Sequence, residues 1–280
     1  ETPNTWAGIE EACAAIAELE DGPDNCITWP NHSWFVEQTM GQLGESLANN
    51  NNGRDARADE VFLNSEGMID YISWWNRTQA LCYYVYTGVQ RDWGGTYNAF
   101  IAQQVAFLIY SSSDTTALTA DGADAGFEVI ASFMPHNGEV ELQGNIIGGA
   151  TLWLNNGLEE ATETGALMFM NWLNNPENAG DWAAFTGYIP ITEGSIDFLE
   201  EDGFFEENPN ATVASEQLAA AAENDTNPGV IVGNFVAIRD VITGTIEDIL
   251  VNDTDVSEAL EAANEEANLL LEEYNILFVE

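Results

Sequence analysis

The sequence contains no lysine. Its five cations are all arginines, Arg54, Arg57, Arg77, Arg91 and Arg239, against 48 Asp and Glu, for a formal net charge of -43 over 280 residues. Such a chain repels phosphate backbones and anionic headgroups, which excludes nucleic acid and acidic membrane surfaces as partners. It also repels itself. At about 1 M salt the screening length falls to roughly 3 Å and that repulsion largely vanishes, so molar salt is the expected medium. The acids are spread along the whole chain rather than gathered in one run, which argues against an acidic interaction tail.

Other absences narrow the function. No stretch reaches the roughly 18 consecutive apolar residues of a membrane helix, and no charged-then-apolar leader opens the chain. The start, Glu1-Thr2-Pro3-Asn4-Thr5-Trp6, reads as the interior of a longer protein, so a leader and more are expected upstream. The three cysteines, Cys13, Cys26 and Cys82, lack metal-ligand spacing. One pair can form a disulfide, but small buried thiols are the preferred reading. There is no G-x-S-x-G elbow, P-loop or H-E-x-x-H, and His32 and His136 lack partner spacing. Acid pairs such as Glu159-Glu160 are expected by chance among 48 acids and mark no glycosidase. Neither a metal nor a cofactor is expected.

What is present is a folding composition. The hydrophobic fraction is 45%, with nine Trp, eight Tyr and thirteen Phe, which separates the chain from disordered acidic segments. Thr5 is placed to cap a helix with Trp6, Ile9, Cys13, Ile16 and Leu19 at helical spacing, stopped by Gly22-Pro23. Cys26 to Trp29 reads as a strand, Trp34 to Leu47 as a helix and 49–53 as a surface loop. Ser65 opens a helix carrying Met68, Ile72 and Trp75. The apolar run Val105 to Tyr110 predicts a parallel strand buried on both faces. Further strands are expected at Phe127 to Phe133 and Thr151 to Leu154, with helices at Glu159 to Leu173 and Pro176 to Phe185. Alternation of this kind predicts an open α/β sheet that binds ligands at the carboxyl ends of its strands. After Tyr188-Ile189-Pro190 the pattern is nearly all helical, with segments 213–223, Phe235 to Leu250 and Val256 to Asn275.

Five places could carry ligand chemistry. Ser111-Ser112-Ser113-Asp114 follows a strand and offers free N–H groups at a helix start, an anion site or an ordinary N-cap. Gly148-Gly149 allows close backbone approach or only a tight turn. Tyr188, in Thr186-Gly187-Tyr188-Ile189-Pro190-Ile191-Thr192, reaches a ligand hydroxyl or packs with a wet end. Arg239 is the only cation between residue 92 and the end. Its guanidinium fork suits phosphate or carboxylate, or else an internal salt bridge. Trp29 and Trp34 flank Asn31-His32-Ser33 and can stack on sugar C–H faces, although core packing is the leading reading for large aromatics.

The order of these motifs resembles the extracellular solute-binding proteins of carbohydrate ABC importers, closest to their glycerol-3-phosphate-binding members. The resemblance rests on Pro3-x-Thr5-Trp6, on Ile146-Ile147-Gly148-Gly149-Ala150-Thr151-Leu152-Trp153, and on Asn175-Pro176-Glu177-Asn178-Ala179 with Trp182 and the Tyr188 segment. Gly203-Phe204-Phe205-Glu206-Glu207-Asn208-Pro209 and Gly233-Asn234 ahead of Ile238-Arg239 complete it. It implies an α/β, two-lobed periplasmic-binding-protein type II fold with the N-terminal part of the first lobe absent. Residues 1–147 would form the second lobe, 148–188 a segment of the truncated first lobe, and 189–280 a helical return. Ligand contacts implied by the match are Trp34, Ser111, Gly149, Tyr188 and Arg239. The Trp29 to Trp34 gap is wider than the family's spacing.

The implied function is capture of glycerol-3-phosphate or a related sugar or polyol phosphate by lobe closure, for delivery to ABC permease membrane subunits. A neutral sugar or oligosaccharide is the alternative ligand, and a glycan-active enzyme ranks below both. The resemblance further implies a monomer at the cell surface, with a lipid anchor through a missing N-terminus as one option.

Overall fold

The computed structural model describes residues 2–222, 226 and 228–278. In chain order the helices begin with α1 (Trp6–Ile16), α2 (Ser33–Leu43), the five-residue turn α3 (Asn49–Gly53), α4 (Glu66–Ala80), α5 (Trp93–Ile101) and α6 (Thr115–Asp124). They continue with α7 (Glu160–Leu173), α8 (Pro176–Thr186), α9 (Glu193–Glu201), α10 (Phe204–Glu207), α11 (Val213–Ala219), α12 (Phe235–Asn252) and α13 (Val256–Leu277). The strands β1 (Ile27–Thr28) and β2 (Phe107–Leu108) pair in parallel. The expected helix 213–223 stops at Ala219, and Glu223 lies outside the described residues. Among the described residues no helix is long and apolar enough to cross a membrane.

The chain divides into two compact units, one of Glu1–Tyr110, Met134–Ile147 and Gln217–Glu280, the other of Ser111–Phe133 and Gly148–Glu216. This division departs from the expected one. Residues 111–133 join the second unit, and the chain returns to the first at Gln217 rather than after Tyr188.

In the first unit, α2, α4, α12 and α13 pack together. Their helix starts follow local chemistry. The Thr5 hydroxyl accepts from Gly8 N (3.1 Å) to cap α1, and the Ser65 hydroxyl accepts from Met68 N (3.3 Å) to cap α4. α2 ends at Gly44, whose φ of 72° is the left-handed conformation that glycine adopts without a Cβ penalty. The core is aromatic. Trp29 stacks on Trp74 at 5.4 Å and 4°, Trp6 covers Trp74 at 5.3 Å, and Trp75 and Tyr84 close on Trp29 at 5.0 and 4.3 Å.

Two local features differ from expectation. Asn50, Asn51 and Asn52 form a left-handed turn (φ 54°, 55°, 50°) rather than a plain loop. Asparagine tolerates that region because its short amide bonds locally, and the buried Asn52 Oδ1 accepts from Leu47 N (2.8 Å) and Ala48 N (3.0 Å). Cys13 and Cys26 are joined in a disulfide, correcting the reading of buried thiols, and Cys82 is free and exposed. With the linked positions 13 apart in sequence, the crosslink restricts the unfolded chain by about 3 kcal/mol. The Cys13→Ser/Cys26→Ser variant is expected to lose about 2–4 kcal/mol in denaturant titration, and reductant is expected to lower the wild-type midpoint towards the variant's while leaving the variant unchanged.

The expected sheet is much reduced. Val105 and Ile109 are buried, but Phe107 and Leu108 are half-buried and Ala106 is exposed, so the 105–110 run is not covered on both faces. Residues 127–133 and 151–154 form no strand. In the second unit the Asn210 side chain does a neighbouring strand's work, accepting from Ala131 N (2.9 Å) and donating to Val129 O (2.8 Å). Thr151, Leu152 and Trp153 are exposed, with Trp153 at 88%. An apolar run needs a ladder partner to become a strand, and neither segment has one among the described residues. In this unit α8 packs against α6, α7 and α9. Asn175 caps α8 through Asn178 N (2.8 Å), with Pro176 in the first turn.

Candidate functional site

Arg239 lies on α12, one turn beyond Phe235. Its guanidinium carbon sits 4.6 Å from the Phe235 ring centroid, which fixes the plane of the fork. Nε donates to Glu37 Oε1 (2.8 Å) and Nη2 to Glu37 Oε2 (2.6 Å), a two-bond pairing that ties α12 to α2. The Glu37 side chain is 5% exposed and that of Arg239 is 32% exposed. Burial pushes the Glu37 carboxyl above its ordinary value, and the hydrogen bonds and charge of Arg239 pull it back without overcoming burial.

Around this pair the first unit gathers groups from two further segments. His32 caps α2, its Nδ1 accepting from Trp34 N (2.9 Å), and its ring lies 5.6 Å from that of Trp93. Trp93 also meets Phe35 at 5.6 Å and Tyr110 at 5.0 Å. The Arg91 guanidinium pairs with Asp240, the residue after Arg239 on α12. Asn31 holds the loop in place: its Nδ2 donates to Thr243 O (3.0 Å) on α12, and its carbonyl accepts from Arg91 N (2.9 Å). The outcome is an aromatic-lined cluster containing two of the protein's five cations.

The expected contacts fall in both units. In the first unit Trp34 is half-buried on the first turn of α2, one turn before Glu37, and Arg239 is bound to that same helix. In the second, the Ser111 hydroxyl meets the Ser113 hydroxyl at 2.8 Å and caps the short 3₁₀ turn ahead of α6. Gly187, with φ 81°, ends α8 so close to this turn that a Cβ would stand 2.8 Å from Ser113 O. Ser111 and Tyr188 are thus on adjoining segments, and Tyr188 is half-exposed. Gly149 is exposed, and no described atom lies within 4 Å of where its Cβ would be. Trp29 is wholly buried in the core.

Sequence reasoning did not single out Glu37, Arg91 or Trp93. Arg91 carried a usable signal, being one of only five cations and two residues from a tryptophan. A groove on the first unit, about 710 Å³, is lined by Asp59 and by Glu265 and Glu272 of α13, and those carboxylates disfavour any anion there. Among the described residues no group of His, Cys, Asp and Glu is placed to hold a metal ion.

The family model of the bacterial extracellular solute-binding proteins matches residues 1–213. The chain belongs to that family. This solute-binding protein is 28% identical over 276 residues to the sn-glycerol-3-phosphate-binding periplasmic protein UgpB of Escherichia coli K12, covering 97% of this chain and 61% of that one. Among solved structures, UgpB from Mycobacterium tuberculosis in complex with glycerophosphocholine matches with a TM-score of 0.75 at 19% identity, over 98% of this chain and 65% of that one. The sugar-binding protein MalE from Xanthomonas citri matches with a TM-score of 0.75 at 15% identity, over 99% and 66%. These likenesses establish the α/β binding-protein fold. The chain spans less than two thirds of the length of each of these three relatives.

The site of this solute-binding protein also has a pH signature. Burial first, then Arg91 and Arg239, hold His32 at about 4 against an ordinary 6.5. Between those values the unfolded chain takes up a proton that the folded one refuses, so folding weakens as pH falls from 6.5 toward 4. His136 is also lowered and contributes with the same sign. In urea titrations at pH 7 and pH 4.5, His32→Gln is expected to lose less stability between the two pH values than the wild type.

Proposed function

We propose that this chain is the ligand-capturing part of an ABC importer, taking glycerol-3-phosphate or a related sugar or polyol phosphate outside the cell. The observation that carries the reading is Arg239. It is the only cation after residue 92 in a chain of net charge -43, and it is held by a buried carboxylate beside His32 and Trp93. The names of the UgpB relatives support the phosphate, and the Cys13–Cys26 disulfide fits an oxidising compartment. Ligand contacts are proposed for Trp34 and Arg239 in one unit and for Ser111, Gly149 and Tyr188 in the other. The second unit is proposed to be part of the first lobe of the family's fold. The protein acts by binding rather than catalysis, as a monomer, with the permease membrane subunits as partners and molar salt as its medium.

A neutral sugar is the second reading, favoured by the pairing of Arg239 with Glu37 and by the aromatic rings of Trp34 and Trp93. Thermal unfolding in about 3 M KCl, where charge is screened, separates the two. Glycerol-3-phosphate at about 100 times its Kd stabilises the folded state by about 2.7 kcal/mol and raises Tm. A rise with maltose and none with glycerol-3-phosphate establishes the neutral sugar instead.

A further inference from the structure

The five arginines have different partners. Arg54 donates to the backbone carbonyls of Gly229 (2.6 Å) and Pro228 (2.9 Å), and Arg57 to that of Phe278. Arg77 meets Glu10, a quarter exposed, and Arg91 meets the exposed Asp240. Among the described residues Arg239 alone is paired with a carboxylate removed from water. Desolvating a carboxylate is costly, and an apolar pair at positions 37 and 239 would join α2 to α12 without that cost. Among the 48 acids of a chain that keeps nearly all of them on its surface, Glu37 is therefore retained against a penalty.

The pairing occupies one edge of the fork. Glu37 takes Nε and Nη2, while Nη1 donates to no protein acceptor among the described residues. One third of the Arg239 side chain is exposed, so a ligand oxygen can reach the remaining N–H groups. The charge of that edge is already balanced. The neighbouring Arg91 is balanced by Asp240 in the same way, and His32 carries no proton above about pH 5, given its value of about 4. Every cation of the cluster thus has its own carboxylate.

We propose that Glu37 is a specificity-determining residue: by holding one edge of Arg239 and cancelling its charge, it makes the site favour a phosphodiester with one negative charge over a phosphomonoester with two. The proposal rests on the reading of Arg239 as a ligand contact. Arg239 donates hydrogen bonds from Nη1 to a phosphoryl oxygen, and Glu37 charges a dianion for the repulsion that a monoanion largely escapes. Glu37 touches Arg239 and not the ligand, so its role is positional and electrostatic.

The test compares glycerol-3-phosphate with its methyl diester at pH 8 in about 3 M KCl, the monoester being close to a dianion there because its second pKa is about 6. The wild type is expected to bind the diester about tenfold more tightly, a difference of one unit in log Kd. Glu37→Gln keeps an acceptor for Arg239 but removes the charge, and is expected to abolish or reverse that preference. Equal loss of both affinities in Glu37→Gln shows a merely structural pair and overturns the proposal. Arg239→Ala separates the two levels: if it leaves both affinities unchanged, the ligand contact itself is wrong. If it weakens both while the Glu37→Gln ratio stays at the wild-type value, only the role of Glu37 fails. Binding of neither ester by the wild type overturns both.

A spectroscopic readout does not depend on the variant's stability. Five arginines give five Nε–H signals in the ¹⁵N-arginine spectrum, and the Arg239 signal is expected to shift with dimethyl phosphate more than with inorganic phosphate at pH 8. The opposite order contradicts the proposal.

Discussion

Replacing Arg239 by alanine is expected to weaken binding of a phosphate-bearing ligand roughly 10- to 100-fold, because hydrogen bonds to charged groups contribute about 1.5–3 kcal/mol. The same change is expected to destabilise the fold by about 1–3 kcal/mol, since it leaves a desolvated group without its partner. The two effects separate by pH. Without Arg239 the main counterweight to the burial that already raises the Glu37 carboxyl is gone, and the side chain becomes protonated at a higher pH than in the wild type. Protonation relieves the penalty, so the stability gap between variant and wild type is smallest in acid and widens as pH rises toward 8. Arg239→Lys places a point charge where a fork is needed. It is expected to recover part of the stability and little of the binding. Isothermal titration with the ligand, together with urea titration at pH 5 and pH 8, measures both.

Trp29→Ala is expected to cost about 3–5 kcal/mol, the range for removing a large aromatic from a packed core. Trp29 has no exposed surface and contacts Trp74, Trp75 and Tyr84 at once. These rings join the loop leading into α2 with α4, so the cavity would open directly beneath Asn31 and His32. Loss of ligand affinity is expected to accompany loss of stability. Trp153→Ala is the matched control. That side chain is almost fully exposed and bonds only Thr151 Oγ1, so its change is expected to stay within about 0.5 kcal/mol.

Trp29 also marks what could be read before folding. The loop Trp29 to Trp34 offered stacking or core packing, and the structure splits the pair: Trp29 in the core, Trp34 half-buried on α2. The helices that begin at Thr5, Ser65 and Asn175 were legible because the cap lies in the sequence next to the helix it starts. Strands were legible only in part: β1 and β2 fall inside the expected runs 26–29 and 105–110, while 127–133 and 151–154 form none, because a strand depends on a partner that local pattern does not contain. Residues 127–133 have apolar character enough for a strand, yet Val129 O and Ala131 N bond to the side chain of Asn210, about eighty positions away. The disulfide was hidden for the same reason, since a spacing of 13 is compatible with pairing or with separate burial. At the site, Arg239 stood out through scarcity alone. Its partner Glu37 was invisible, being one acid among 48 and separated from Arg239 by 202 positions.

Scarcity of cations is therefore the thread from composition to function. Three of the five arginines, Arg54, Arg57 and Arg77, bind the fold to itself, and two stand beside His32 and Trp93. That distribution supports the proposed capture of an anionic polyol. Equilibrium dialysis of the chain against radiolabelled glycerol-3-phosphate in about 3 M KCl, where electrostatic screening is short-ranged, tests it most directly. Saturable binding at one site, competed by unlabelled ligand and weakened by Arg239→Ala, is expected. Binding that never saturates, or that is indifferent to Arg239→Ala, would contradict it.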